Sequence, residues 1–356
     1  MFYALIVDKI KRETSDCVSI HFQVPSDLKE VFVYKAGQYL TLKVEIEGKE
    51  ERRSYSICSA PYEGSLIIAA KKIPNGLVST FLNEKLNEGD SLDVMAPNGN
   101  FTIETENRKK THVAFAAGSG ITPIISIAKQ VLKDEVKSEF HLYFGNKTSD
   151  SIIFKEELLA LEKENKKLFG KRFKVNHYLS QESAKEGFYG GRIDETVLRE
   201  AIRKHLRADH FYFCGPEEMI LKGREILLSK AIPENQIHFE LFTTSGSADT
   251  IQNKSGEQPN TQTQKTKVKI ILDEQETEFE MNAKDSVLHA AIDRGLDVPY
   301  ACQGGTCCTC QAKLEEGEVH MDLNMVLSDE EVQNGMILTC QSHPKSENIV
   351  VNYDNT

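Results

Sequence analysis

No apolar run in this 356-residue chain comes near the ~18 residues needed to cross a bilayer; among the longest is residues 113–117. The N-terminal stretch MFYALIVDKIKRE has no charged segment ahead of its apolar one, so no secretory signal and no membrane insertion are expected, and the cytoplasm is the expected compartment. Excess positive charge is also missing. The 43 Lys and Arg are outnumbered by 54 Asp and Glu, a net of −11 that excludes nucleic acid as a general partner. Neither G-x-S-x-G nor H-E-x-x-H occurs, so a hydrolase reading has no support. Internal repeats are absent. What remains is an ordinary globular composition, 40% hydrophobic and 27% charged. At ~150 residues per domain, the length fits two or three domains.

Charge and cysteine are unevenly spread. Residues 267–356 hold six Lys and Arg against 17 Asp and Glu, so the whole imbalance sits there and residues 1–266 are neutral. Such asymmetry points to a separate domain that meets a basic partner surface. Cys17, Cys58 and Cys214 are scattered, whereas Cys302, Cys307, Cys308, Cys310 and Cys340 crowd into 39 residues. With no secretory signal, the cluster reads as a metal site rather than a disulfide framework. Between the two regions, residues 243–266 contain one large apolar residue, Ile251, in a Ser-, Thr-, Gln- and Asn-rich stretch too polar to fold by itself. As a coil it would span roughly 27 Å.

Residues 1–105 show short β-branched and aromatic runs (2–7, 18–24, 39–46, 53–58, 65–70, 91–95) separated by turn residues, the pattern of an antiparallel β-barrel or sandwich. Residues 106–242 instead alternate apolar runs (112–117, 140–145, 173–179, 210–214) with helical stretches (123–132, 154–167, 194–206, 217–229), which predicts an α/β domain on a parallel sheet. Residues 267–356 open with two strands (267–272, 276–281) and a helix capped by Asp285 or Ser286.

The loop after that helix is Cys302-Gln-Gly-Gly-Thr-Cys307-Cys308-Thr-Cys310, with Cys340 further on. Taken as C-x4-C-x2-C plus a distant cysteine, it has the spacing that holds a plant-type [2Fe–2S] cluster. Four thiolates offset the charge of two ferric ions, and a Gly-Gly turn aims backbone N–H groups at the sulfurs. A zinc site would pair two C-x2-C knuckles, and only Cys307 and Cys310 form one. Cys308 breaks the spacing and is read as a non-ligand; His289, His320 and His343 read as surface or packing residues.

Residues 267–356, including the Leu-Thr-Cys340-Gln-Ser-His-Pro segment, resemble a plant-type ferredoxin. The whole chain outside the linker resembles the oxygenase reductases, in which a module of the ferredoxin–NADP reductase family precedes its own ferredoxin; the reductase component of phenylacetyl-CoA epoxidase, an enzyme of phenylacetate catabolism, is one of them. The resemblance implies a multidomain flavoprotein: an FAD-binding barrel, an NAD(P)-binding domain and an α+β β-grasp ferredoxin domain.

It also assigns the remaining motifs. Arg53-x-Tyr55-Ser56 matches the family's flavin motif: Arg53 for the pyrophosphate, Tyr55 for the ring and ribityl chain, Ser56 for N5. Lys71 stands at the start of the second flavin segment, and Gly76-x-Val78-Ser79 opens a helix whose amides hold the pyrophosphate. The preference for FAD over FMN rests on the family alone. Gly118-x-Gly120-x-Thr122-Pro123 is the nucleotide loop, with Thr122 expected as N-cap and Pro123 as the first helical residue. Cys214-Gly215-Pro216-x-x-Met219 places Cys214 beside the nicotinamide as a positioning group. Asn146, Lys147, Ser180, Gln181 and Arg192 are candidates to meet the 2′-phosphate of NADPH. The family often has Arg where Lys147 and Gln181 stand, which weakens the NADPH preference here; NADPH is still the expected donor, with NADH kept as the alternative. Glu240 is expected to relay a proton near N5 and Phe242 to cover the flavin.

Together these motifs describe an electron relay from NAD(P)H through FAD and [2Fe–2S] to an oxygenase component, a di-iron complex acting on an acyl-CoA. The alternatives are a reductase for another oxygenase or a desaturase, or a redox-sensing module that does not turn over. The linker would let the acidic domain swing between flavin and acceptor. Cutting residues 243–266 to a few residues should then slow steady-state reduction of the terminal acceptor and spare NADPH bleaching of the flavin in stopped flow; equal acceptor rates would refute the swing.

Overall fold

The computed structural model describes residues 1–169, 171–242 and 265–355, which fall into two compact units, Met1–Phe242 and Thr243–Thr356. The first unit begins with six antiparallel strands: β1 (Phe2–Thr14), β2 (Cys17–Gln23), β3 (Tyr39–Ile46), β4 (Lys49–Ser56), β5 (Leu66–Lys71) and β6 (Ser91–Met95), ordered β4-β3-β6-β1-β2-β5. Beyond the ends of this order, Ile57 bridges Ile68 and the Cys58 N–H donates to the Ile67 carbonyl at 2.8 Å, which closes the sheet. Alternation turns Leu5, Val7, Ile20, Leu40, Leu42 and Val44 inward. β1 outruns its apolar stretch because Ile10, Lys11, Arg12 and Thr14 still pair with β2, although Lys11 and Arg12 themselves are exposed. The short helix α1 (Leu77–Glu84) lies between β5 and β6.

The same unit continues into a fully parallel sheet of β7 (Thr111–Ala117), β8 (Glu139–Asn146), β9 (Phe173–Leu179), β10 (Phe188–Gly190), β11 (His210–Gly215) and β12 (Ile237–Leu241), ordered β10-β9-β8-β7-β11-β12. Helices α2 (Ile121–Asp134), α3 (Lys155–Phe169), α4 (Glu195–Lys204) and α5 (Glu217–Ser229) alternate with the strands. Chain order reverses between β7 and β11, so a crevice opens at their carboxyl ends, where ligands bind in such sheets. One core joins the two layers: Cys17, Cys58, Ala69 and Phe101 pack with Ile124 and Ile127 of α2 and with Phe140 and Phe144 of β8. At ~1.5–3 kcal/mol for each large apolar side chain removed from water, such a core holds the barrel and the parallel sheet together.

The second unit has a mixed sheet, ordered β14-β13-β19-β15-β17, of β13 (Lys265–Leu272), β14 (Gln275–Asn282), β15 (Gln311–Glu316), β17 (Met336–Leu338) and β19 (Asn348–Asn352). β16 (Val319–Met321) and β18 (Ser342–Pro344) form a separate ladder. Helix α6 (Val287–Asp293) buries Val287, Leu288 and Ala291 in this unit's core, and Ser286 caps it by accepting the His289 N–H at 3.3 Å. A second short helix is α7 (Asp329–Gln333). Parallel pairing of β13 with β19 gives the β-grasp arrangement expected from the ferredoxin resemblance. β13 begins at Lys265, so the last two residues of the expected linker are in a strand; residues 243–264 lie outside the described residues. Among the described residues, no helix is long and apolar enough to cross a membrane.

Burial lowers four histidines of the first unit, His177, His205, His210 and His238, to about 4. Unfolded histidine titrates near ~6.5, so between those values the unfolded chain binds more protons and stability falls as pH drops. The thermal midpoint of the first unit should therefore decline from pH 7 to 4.5, and His238→Gln should flatten that slope. A midpoint unchanged over the interval would contradict the burial argument.

Candidate functional site

The crevice is set by how close two loops approach. β7 ends at Ala117 and runs into the turn Gly118–Gly120 that precedes α2. A Cβ on Gly120 would lie 2.0 Å from the Cys214 carbonyl oxygen, so only glycine allows the end of β11 to pass there. The two expected nucleotide motifs therefore pack against each other at the point where the strand order reverses. Helix α2 starts two residues earlier than expected, at Ile121 with Gly120 as N-cap. The Thr122 hydroxyl does not cap an N–H; it donates back to the Ser119 carbonyl at 2.9 Å, and Pro123 stands inside the first turn. Pro216 precedes α5 as its N-cap, and Met219 is buried beside Gly215. Cys214 is fully buried and burial raises its thiol far above the ordinary range, so it is no nucleophile.

On the barrel side, Ser56 is the last residue of β4, the strand end its position in the motif requires, and it is buried. Its hydroxyl donates to Glu240 Oε2 at 3.0 Å across 184 residues of chain. Glu240 pairs in register with Cys214 on the neighbouring strand. Ser56, Cys214 and Glu240 thus converge. Burial raises the Glu240 carboxyl to about 8, with Ser56 pulling the other way. Arg53 is tied to Glu51 at 3.0 Å and to the Arg52 carbonyl at 2.7 Å, and Tyr55 is half-buried. Gly76 is the N-cap of α1, Val78 is buried in the barrel core, and the Ser79 hydroxyl accepts the Ile73 N–H and donates to the Gly76 carbonyl, both at 3.2 Å. Lys71 pairs with Asp16 at 3.4 Å. A cavity of about 540 Å³ is lined by Lys71, Lys72, Asn75, Thr80 and Lys147, among others, and its three lysines suit a phosphate-bearing ligand.

Further along the sheet, the Ser180 N–H donates to the Asn146 carbonyl at 2.9 Å and the Gln181 N–H to the Lys147 carbonyl at 2.8 Å, so these candidates share one rim. Both polar atoms of the buried Asn146 carboxamide lack a partner, which fits a site completed by a polar ligand. Lys147 and Arg192 are exposed. Phe242, 40% exposed, is the last described residue of the first unit.

In the second unit the four expected thiols meet two by two. Cys302 hydrogen-bonds Cys307, and Cys310 hydrogen-bonds Cys340. Those contacts, with N–H groups of Gly304 and Thr306 on Cys302 and of Gly305 on Cys340, draw Cys302 and Cys340 toward the thiolate. The Gly304 N–H lies 3.4 Å from Cys302 Sγ. Gly305 has φ +69, and a Cβ there would come 2.7 Å from the Leu323 carbonyl, so the loop needs glycine. Among the described residues no three ligand groups gather as a single ion would need. Two pairs of thiols fit a two-iron cluster. The Thr339 hydroxyl donates to the Cys310 carbonyl at 2.9 Å and accepts from the Tyr353 hydroxyl at 3.0 Å, tying the two ligand segments together. Cys308 is buried in the same loop.

Sequence reasoning missed the polar contacts between barrel and α2. Ser126 and Lys129 of α2 reach the residues just after β4, and Lys129 also meets Glu63 and Glu157. The signal was there: in Ile-Ile-Ser-Ile-Ala-Lys129 a hydroxyl and a cation, three apart, interrupt an apolar run.

Three family models match the chain: an oxidoreductase FAD-binding domain over residues 4–103, an oxidoreductase NAD-binding domain over 115–224, and a 2Fe-2S iron-sulfur cluster binding domain over 270–345. A component of the 1,2-phenylacetyl-CoA epoxidase of Escherichia coli (strain K12) is 36% identical, covering 99% of this chain and 98% of the relative. The ferredoxin reductase component of 3-ketosteroid-9-alpha-monooxygenase from Mycobacterium tuberculosis (strain ATCC 25618 / H37Rv) is 31% identical, covering 98% and 95%. Among solved structures, phthalate dioxygenase reductase superposes with a TM-score of 0.60 at 26% identity, covering 99% of this chain and 98% of that one.

Because folding holds Glu240 neutral up to about 8 while an unfolded glutamate ionises near ~4.3, the native state binds the extra proton between those values. Its contribution to stability therefore shrinks as pH rises through that window. Glu240→Gln should raise the thermal midpoint more at pH 8 than at pH 5, by several degrees. A gap between variant and parent that stays constant with pH would show the carboxyl to be ionised in the fold.

Proposed function

Since the chain belongs to the ferredoxin reductase-type oxidoreductases that carry FAD-binding, NAD-binding and 2Fe-2S domains in one polypeptide, we propose that it takes electrons from NADPH and delivers them singly to an oxygenase component of the phenylacetyl-CoA epoxidase kind. The observation that carries the acceptor is likeness along its whole length to a component of that epoxidase. The other relatives include reductase components of ketosteroid and glycine betaine monooxygenases, and they keep a different oxygenase as the second reading.

When bound, flavin and cluster supply the step from a two-electron donor to one-electron delivery. The protein's residues orient and tune. Gly76 and the first turn of α1 offer backbone N–H groups to a pyrophosphate. Arg53 reaches the same anion by exchanging its contact with Glu51. Tyr55 gives a flat face to the ring. Gly118, Gly120 and the α2 amino end take the nucleotide phosphates, with Thr122 and Pro123 fixing the first turn. Asn146, Lys147, Ser180 and Arg192 form the rim that meets the 2′-phosphate, where the exposed cations favour NADPH over NADH. Gly215, Pro216 and Met219 hold Cys214 at the floor of the crevice. Glu240 keeps a proton below pH about 8 and exchanges it through the Ser56 hydroxyl, the group assigned to N5. Phe242, exposed at the end of the first unit, would be the residue to cover a bound flavin face. Cys302, Cys307, Cys310 and Cys340 hold the irons.

The test uses the full chain with FAD and iron. NADPH should bleach the flavin absorbance anaerobically. With the oxygenase components of the epoxidase added, phenylacetyl-CoA should be consumed in step with NADPH. Each of Cys302→Ser, Cys307→Ser, Cys310→Ser and Cys340→Ser should lose cluster absorbance and iron, whereas Cys308→Ser keeps both. NADPH oxidation without loss of phenylacetyl-CoA, alongside turnover with a different oxygenase, would replace the proposed acceptor by the second reading.

A further inference from the structure

The carbonyls of two consecutive residues just beyond the flavin strand are held by one helix. The Ser126 hydroxyl, fully buried, donates to the Ser59 carbonyl at 2.6 Å. One turn on, Lys129 Nζ donates to the Cys58 carbonyl at 3.3 Å. Lys129 is only 5% exposed, and its ammonium also meets Glu63 at 3.1 Å and Glu157 at 2.5 Å. Glu63 in turn accepts the Ala60 N–H at 2.6 Å, so the same carboxylate that balances Lys129 grips the next residue of the strand extension. Ser59 is fixed from its other side by the Tyr34 hydroxyl at 2.8 Å and the Ile67 N–H at 3.1 Å. Burial opposes the charge on Lys129, but Glu157 and Glu63 outweigh it and raise its pKa.

A buried ammonium is an expensive way to join two layers that already share an apolar core. Three acceptors from three places meet it: a carbonyl following β4, a carboxylate after that segment, and a carboxylate on α3. The short Ser126 bond at 2.6 Å and the charge held on Lys129 by two carboxylates pin the strand extension to α2 at two consecutive carbonyls, where apolar packing tolerates slip. The placement matters because the same helix begins at the Gly118–Gly120 turn, while Ser56 lies two residues before the first clamped carbonyl.

We propose that Ser126 and Lys129 are positioning residues that set the register of the flavin strand against the nucleotide-binding helix, and through it the approach of nicotinamide to flavin. The inference rests on the assignment of flavin to the β4 strand and of NADPH to the α2 loop. Neither residue touches the reacting atoms. A misplacement of about 1 Å can cost roughly a hundredfold in a transfer step.

Ser126→Ala and Lys129→Met in the full, FAD-loaded chain test it. In stopped flow at saturating NADPH, flavin reduction should slow about 10- to 100-fold, and the long-wavelength charge-transfer absorbance of the NADP⁺ complex should weaken. FAD content and the Kd for 2′,5′-ADP should stay within twofold of the parent. Reduction rates and charge-transfer absorbance both within twofold of the parent in folded Ser126→Ala would overturn the proposal, whether or not Lys129→Met folds. Slow reduction with the charge-transfer band intact would also overturn it, since geometry would then be unchanged. Parent chain that NADPH does not bleach would instead sink the underlying cofactor assignment, and the clamp with it.

Discussion

The approach of the Cys214 carbonyl to Gly120 is the constraint on which the rest of the first unit depends. β7 and β11 are adjacent and in register up to Ala116 and Cys214, and there the chain must leave in two directions. A side chain on Gly120 would force the strand ends apart. With glycine, the two loops nest, the α2 amino end faces the crevice, and Cys214 stays buried at its floor. Register then does the remaining work. Glu240 is carried beside Cys214 by the pairing of β12 with β11, and the end of β4 brings Ser56 to the same carboxyl. A hydroxyl, a thiol and a carboxyl from three distant segments converge because of strand pairing and one missing methyl group.

The electrostatics of that meeting point follow from the packing. Among the described residues no cation pairs with Glu240, so desolvation decides its state and the carboxyl stays neutral well above the ordinary range. Lys129, 5% exposed, shows the opposite outcome: two carboxylates close by keep it charged. One buried titratable group is thus left able to exchange its proton, and the other is locked. Under the proposed function the first would lie where a proton has to be handled; the second lies where the barrel and the parallel sheet are joined.

Much of this is legible without the fold. The C-x4-C-x2-C spacing picks out three of the four thiols that meet in pairs, with Cys340 added as the distant cysteine, and strand–helix alternation points to the parallel sheet, because both depend largely on local pattern. The start of α2 differs by two residues, since Thr122 and Pro123 look like a cap and a first turn, whereas the preceding glycines already form a turn that Gly120 closes. The reach of β1 beyond its apolar run and the short β10 cannot be read from composition, because pairing with a neighbour extends or creates them. The resemblance assigns Arg53 to a pyrophosphate and Lys71 to the second flavin segment, but how Glu51 and Asp16 hold them depends on packing invisible in a motif. Lys129 shows in the sequence only as a cation that interrupts an apolar run; which groups it meets depends on packing in the same way.

The two units place different demands on structure, and the chain is built accordingly. Hydride transfer needs reacting atoms ~3–3.5 Å apart and aligned. The first unit answers with a shared core, a glycine contact between loops and a buried ion cluster joining its two layers. Passing single electrons to an outside acceptor asks for less atomic precision and more for encounter and release. The second unit is correspondingly self-contained: its thiols are braced from within, by Thr339, Tyr353 and backbone N–H groups of its own loop. It carries all of the chain's excess negative charge, while the residues before it are neutral. Charge of one sign speeds encounter with a basic acceptor and weakens with salt, which suits a contact that must form and dissolve at every electron. Confining that charge to one unit leaves neutral the unit whose crevice an anionic nucleotide has to enter.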